Sequence, residues 1–212
     1  MTVDLPVPFF SNSPDDSHCF QDALKMVLKY FLPEKDFTWK ELEQVTAKGD
    51  GLWTWPLAGM VWLSKNGFDV LDLEVFDYSR FMTEGESYLL EFYGREAGHE
   101  QIQHSDLEKE RRLASELLKS NLLKQQLPTI DTMRTLLNSG SLLICLINSK
   151  KLNNANGYVG HFVVIKGYER DTLLMHDPGL PPLENRRVSI AIFKSAWAYP
   201  DKNAQNVIAI KK

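Results

Sequence analysis

GHFVVIKGYERDTLLMHDPG, residues 160–179, reads as two strands joined by a tight turn. Apolar and β-branched residues fill Phe162–Ile165 and Leu173–Met175, and Arg170 lies at the centre of the polar break between them. A three-residue loop centred on Arg170 pairs Asp177 with Val163. His161 is then the next residue on the same face, roughly 7 Å along the strand. Strand side chains alternate with period two, so an odd loop keeps His161 and Asp177 on one face. An even loop sends them to opposite faces unless a bulge intervenes. His176, next to Asp177 but of opposite parity, falls on the other face.

Outward from this hairpin, the C-terminal third continues as strands: SLLICLIN (141–148) before it, RRVSIAIF (186–193) after it ahead of a KSAWAY turn, and NVIAI (206–210) last. The N-terminal part is helical instead. From Phe20, apolar residues fall at 20, 23, 24, 27, 28 and 31, which makes one buried stripe of a helix. Ser13, Asp15, Asp16 and Ser17 supply start signals, Pro14 suits a first turn, and Pro33 marks the stop. A second helix is predicted from Thr38 to about Lys48, and a third in LAGMVWLSKNGF, closed by Asn66-Gly67. FDVLDLEVF (68–76) alternates like a strand, and TIDTMRTLLNSG (129–140) is a short helix. The charge-dense stretch 104–126 reads as one exposed helix with Leu107, Ala114, Leu117 and Leu118 inward. Helices first and antiparallel strands later predict an α+β fold: one domain over 1–212, carrying a mostly helical insertion at about 77–126.

Composition narrows the function classes. The chain has 212 residues, 43% of them hydrophobic, with eleven Phe and five Trp, enough apolar mass for a full core. A net charge of −4 and no long basic run argue against nucleic acid as a partner. No apolar run approaches the ~20 residues of a membrane helix, and MTVDLPVPFF lacks the form of a secretory signal. No membrane insertion and a cytoplasmic location are therefore expected. HEQIQH (99–104) nearly spells a zinc-binding helix motif, but its second histidine comes one residue late. At about 100° per residue the five-residue step lies about 140° round the helix, so the two side chains diverge and no metal site is expected.

The two cysteines have different surroundings. Cys145 sits in an apolar strand, where a thiol behaves as a small hydrophobe. Cys19 opens the helix of DDSHCFQDALKMVLKYF (15–31), where unpaired amides and the helix dipole favour a thiolate, against the opposing charges of Asp15 and Asp16. A nearby imidazolium would tip that balance. A thiol at a helix start, with a histidine and then an acid on paired strands far downstream, is the layout of a nucleophile, its base and an orienting group. His18 adjoins Cys19 and is placed to tune or shield it. Trp53 and Trp55, in the Gly-flanked loop GDGLWTWP, are candidates to line a substrate groove together with Gly160.

VPFFSN (7–12) with DDSHCFQDALKMVLKYF, then GHFVVIKGYE with LLMHDPG, then VSIAIFKSAW (188–197), resemble the corresponding elements of papain-like cysteine peptidases of the bacteriocin-leader-processing (double-glycine) type and their stand-alone relatives. The resemblance spans most of the chain, with 70–125 poorly covered. It implies a papain-like fold with N-terminal helices packed on a C-terminal antiparallel sheet, no cofactor, and a peptide or protein substrate. By similarity Cys19 is nucleophile, His161 general base and Asp177 the orienting acid. Two positions depart from the family. Phe20 stands where glycine usually follows the cysteine, and is expected to crowd the site. Ser13 stands near where the family carries its oxyanion glutamine, leaving Asn12 as the nearest amide for that task. Cleavage of a peptide or isopeptide bond through a thioester is the leading expectation. Deamidation or acyl transfer by the same three residues, or a catalytically silent binding module, are the alternatives.

Overall fold

A computed structural model describes residues 2–12 and 17–212. The start signals at 13–16 lie outside the described residues. Among the described residues, eight strands form one sheet in the order β3-β2-β8-β4-β5-β6-β7, with β1 added to β5. These are β1 (Thr2–Asp4), β2 (Asp69–Glu74), β3 (Leu123–Gln125), β4 (Leu142–Asn148), β5 (Gly160–Glu169), β6 (Thr172–Asp177), β7 (Leu183–Ser189) and β8 (Val207–Lys211). Every pairing is antiparallel except β2 with β3. The architecture is α+β, as the helix-then-strand order predicts, although the sheet also recruits three strands from outside the C-terminal part.

One face of the sheet is covered by α1 (Cys19–Phe31), α2 (Trp39–Val45), α3 (Leu57–Lys65), α4 (Tyr78–Glu84), α5 (Glu86–Gln103) and α6 (Leu107–Lys119). Their apolar stripes meet the even-numbered Val70, Ile144, Phe162, Val164 and Ile208 of the strands. The other face buries Leu143, Cys145, Val163, Ile165 and Met175 under α7 (Ile130–Asn138), α8 (Ser149–Leu152) and α9 (Ile190–Trp197). Period-two alternation thus gives the central strands β4 and β5 two dry faces, which is why SLLICLIN reads as continuous apolar sequence. The helix starts follow local chemistry: Thr38 with Glu41 and Thr129 with Thr132 each make a reciprocal cap, and Asn66-Gly67 ends α3 with Gly67 at φ 80°.

Three expectations are corrected. The 104–126 stretch is not one helix: α6 ends at Lys119, and Leu123–Gln125 forms β3 alongside β2. Its inward set is nonetheless sound, with Ala114 and Leu117 fully buried and Leu107 and Leu118 against the same core. RRVSIAIF is strand only to Ser189, whose hydroxyl caps α9 by accepting from the Ile192 amide. Phe193 and Trp197, one turn apart, then bury against the sheet. Third, the β5–β6 connection has two residues, Arg170 and Asp171, not three. A bulge at Lys166 adds the missing residue, so Ile165 pairs with Met175 and Val164 with His176, the register that the three-residue loop would have produced.

The helical cover also holds a buried carboxyl that, among the described residues, meets only one cation. Glu110 is 1% exposed and sits 3.2 Å from Lys109 Nζ, and burial pushes its pKa up to about 7. A carboxyl held above its unfolded value binds a proton that the unfolded chain releases, so its contribution is favourable at pH 4–5 and declines as pH rises through 7. Glu110→Gln is expected to raise the melting temperature at pH 8, by a few degrees, and to change it little at pH 5. Thermal melts at the two pH values check this; an equal shift at both would point to packing instead of charge.

Candidate active site

Cys19 is the first residue of α1, His161 the second of β5, and Asp177 the last of β6. Packing of α1 over β5, with Phe20 and Phe162 ring centroids 4.9 Å apart, brings the helix start beside the start of the strand. The register of the hairpin then brings His161 Nε2 to 2.7 Å from Asp177 Oδ1. The Cys19 thiol lies on the other side of the same imidazole and helps to hold its proton. With Nε2 on the carboxylate, Nδ1 is the ring nitrogen left for sulfur.

The electrostatics are those of a buried charge network. Burial pushes the His161 pKa down, but the Asp177 and Cys19 contacts outweigh it and hold the imidazole up at about 10. Burial likewise pushes Asp177 up, and His161, the Arg186 guanidinium and the Gly179 amide hold it down at about 2. Arg186 donates to Asp177 Oδ2 at 2.6 Å, and is itself fixed by Asn153 Oδ1 at 2.8 Å and the Leu152 carbonyl at 3.2 Å. Gly179 N donates to Oδ1 at 3.1 Å. A Cβ at Gly179 would sit 3.2 Å from His161 Nε2, so the turn after β6 must pass this close with no side chain. The sequence reading missed Arg186. Its signal was a cation in β7, one strand over from Asp177.

Other expected site residues take different places. His18 turns to Glu43, at 2.7 Å from its Nε2, and stacks edge-on against Trp39. His176 bonds the Val7 carbonyl and the Asn185 amide on the other side of β6. Asn12 Oδ1 accepts the His18 amide at 3.0 Å, fastening the chain just before Cys19; Asn12 is not part of the cavity wall. Phe20 does not crowd the thiol as expected: it is 1% exposed, and its ring enters the core against Phe162 and Gly59. Cys145 is a buried free thiol whose pKa burial pushes up. His99 and His104 do not converge; the His104 ring stacks on Trp53 at 5.0 Å.

A cavity of about 380 Å³ opens beside Cys19 and His161. Trp53, Trp55 and Gly160 line it. Trp55 is pinned by Nε1 donating to Ser105 Oγ at 2.9 Å and by stacking on Phe81, so the Trp53–Trp55 loop is bolted to α4 and the α5–α6 turn. Away from the thiol the cavity runs to Asp72, Glu74, Tyr78 and Tyr93.

Two solved structures are similar to this chain. The peptidase domain of Streptococcus ComA, a bi-functional ABC transporter involved in a quorum sensing pathway, matches at a TM-score of 0.50 over 94% of this chain and 95% of that one, with 12% sequence identity. The fold is the α+β fold of that peptidase domain. A Bacillus anthracis chain described as C39-like peptidase matches at 0.49 over 100% of this chain and 98% of its own, at 16% identity. No family model matches the sequence, and neither does any curated protein. No helix among the described residues is long and apolar enough to cross a membrane.

Proposed function

We propose that this chain is a thiol hydrolase that cleaves peptide or isopeptide bonds through a thioester on Cys19. The observation that supports it most is a buried imidazole engaged on both sides, by the Asp177 carboxylate at Nε2 and by the Cys19 thiol. In this reading the thiol proton rests on His161, and the sulfur attacks the substrate carbonyl carbon. The resulting oxyanion is met by the Cys19 backbone amide, one of the first-turn amides that an α-helix leaves without an intrahelical acceptor. As the C–N bond breaks, His161 passes its proton to the leaving nitrogen. The neutral ring then takes a proton from water, whose oxygen attacks the thioester, and the acid leaves with Cys19 restored. Asp177, held by Arg186 and the Gly179 amide, keeps the ring oriented with Nδ1 toward sulfur. Asn12 serves the site indirectly, by fixing the amide of His18 before the helix.

A fluorogenic peptide library and a peptide vinyl sulfone test the proposal together. Turnover is expected to fall by at least about 10³-fold in Cys19→Ala. The vinyl sulfone is expected to add its mass once, at Cys19 and not at the buried Cys145. Turnover surviving unchanged in Cys19→Ala, or labelling that divides between the two cysteines, refutes it.

A further inference from the structure

Asp72 is an anomaly of the sheet. It lies in the middle of β2, on the face whose neighbours are Val70, Ile208 and Ile144, in a row where β8, β4 and β5 each present an aliphatic side chain. It is 1% exposed, and neither carboxylate oxygen receives a hydrogen bond from a donor. The polar group it does meet is a second carboxyl, Glu74, which accepts from the Tyr78 hydroxyl at 2.6 Å. Burial above all, and then Glu74, push Asp72 well above the usual carboxylate range, and burial pushes Glu74 up too. A buried carboxyl beside a half-buried one is costly to a fold and is retained by sharing a proton. These two line the cavity that also holds Cys19 and His161, and the aromatic rings of Trp55, Phe76, Tyr78 and Tyr93 surround them.

We infer that the Asp72–Glu74 end of the cavity is a subsite for a cationic nitrogen of the substrate, an ammonium held between two carboxylates and aromatic faces. Charge and quadrupole both favour a cation there. The floor of the cavity crosses the sheet from Phe162 on β5 through Leu146 on β4 and Asn206, just before β8, to Glu74 on β2. Three strand spacings make about 14 Å from the reactive end to the acidic end, the length of about four extended residues. A lysine side chain two or three residues from the cleaved bond reaches the carboxylates, and so does the free amino terminus of a short peptide. The inference rests on the thiol reading for what a bound chain undergoes; the binding itself needs no turnover.

The test uses the full wild-type chain and simple probes. Binding of n-hexylamine and of its neutral isostere n-hexanol is measured at pH 7 by saturation-transfer NMR and titration. The amine is expected to bind at least about tenfold more tightly, and Asp72→Asn, an isosteric change, to abolish that preference while hexanol still binds. Equal binding of the two probes by the wild type overturns the subsite whether or not the variant folds, as does a preference that survives in folded Asp72→Asn. Competition identifies the source of the nitrogen. Displacement of hexylamine by an N-acetylated lysine peptide amide assigns a side chain; displacement by an unblocked peptide without lysine assigns an amino terminus; displacement by neither overturns a peptide ligand. None of these readings depends on Cys19, so loss of the thiol mechanism and loss of the subsite are separable results.

Discussion

Replacing His161 by Ala is expected to lower kcat/KM by about 10³-fold or more and to change how Cys19 reactivity depends on pH. In the wild type the imidazole is held up at about 10, so the ring remains charged beside the sulfur throughout the neutral range. With the thiol proton on that ring, as proposed, alkylation of Cys19 by iodoacetamide should vary less between pH 6 and pH 8.5 than it does without the ring. Without the ring the sulfur must carry its own proton, and an ordinary thiol titrating near 8.5 loses about tenfold in rate for each pH unit below that value. His161→Ala should therefore alkylate about 150-fold more slowly at pH 6 than at pH 8.5. A graded series belongs with it. Asp177→Asn removes the carboxylate that raises and orients the ring, for an expected loss of about 10²–10⁴ in kcat. Arg186→Met removes only one donor to Asp177 Oδ2, for an expected loss of about tenfold. Identical alkylation profiles for wild type and His161→Ala would show that sulfur and imidazole do not share a proton.

The largest stability effect is expected at Phe20 and its counterpart Gly59. Phe20 is fully enclosed between α1, α3 and β5, and Phe20→Ala should cost about 3–5 kcal/mol. Gly59 lies inside α3, where glycine is normally about 1 kcal/mol worse than alanine. Here a Cβ would stand 2.8 Å from Phe20 Cε1 and 3.0 Å from Cζ. Gly59→Ala should thus destabilise by about 1–3 kcal/mol in the wild type but stabilise in the Phe20→Ala background, where the clash is gone. Denaturant unfolding of the four proteins measures the coupling, expected at about 2–4 kcal/mol. Additive effects would mean that the ring does not occupy the space that Gly59 leaves. This pair also explains how an aromatic can follow the cysteine: α1 turns residue 20 toward the core by about 100°, away from the residue 19 that opens the cleft.

Much of the site was legible because the signals were local. The period-two pattern of β5 and β6 put His161 and Asp177 on one face, and the 3.6-residue pattern after Cys19 marked a helix start. The turn itself was misread, since nothing in YERDT announces a two-residue connection; the bulge at Lys166 restored the parity that the site needs. The 78–103 segment gave no clear period because α5 breaks at Gly94, where φ is 69°, and its buried residues are scattered over two short pieces. Ile190–Phe193 read as strand and the residues after it as a turn because all four are apolar and continue the run from Val188, while the capping oxygen of Ser189 and the one-turn spacing of Phe193 and Trp197 favoured helix.

The sequence by itself determined that an α+β chain would carry a thiol on a helix start and a histidine and acid on a hairpin, because helix caps and strand alternation act over a few residues. Tertiary structure alone decided that Arg186 fastens Asp177, that Phe20 is accommodated by Gly59, and that Asp72 and Glu74 end in the same cavity as Cys19. Those pairings join positions 9, 39 and more than 50 residues apart, and they exist only once the sheet order and the packing of α1 and α3 over it have been set.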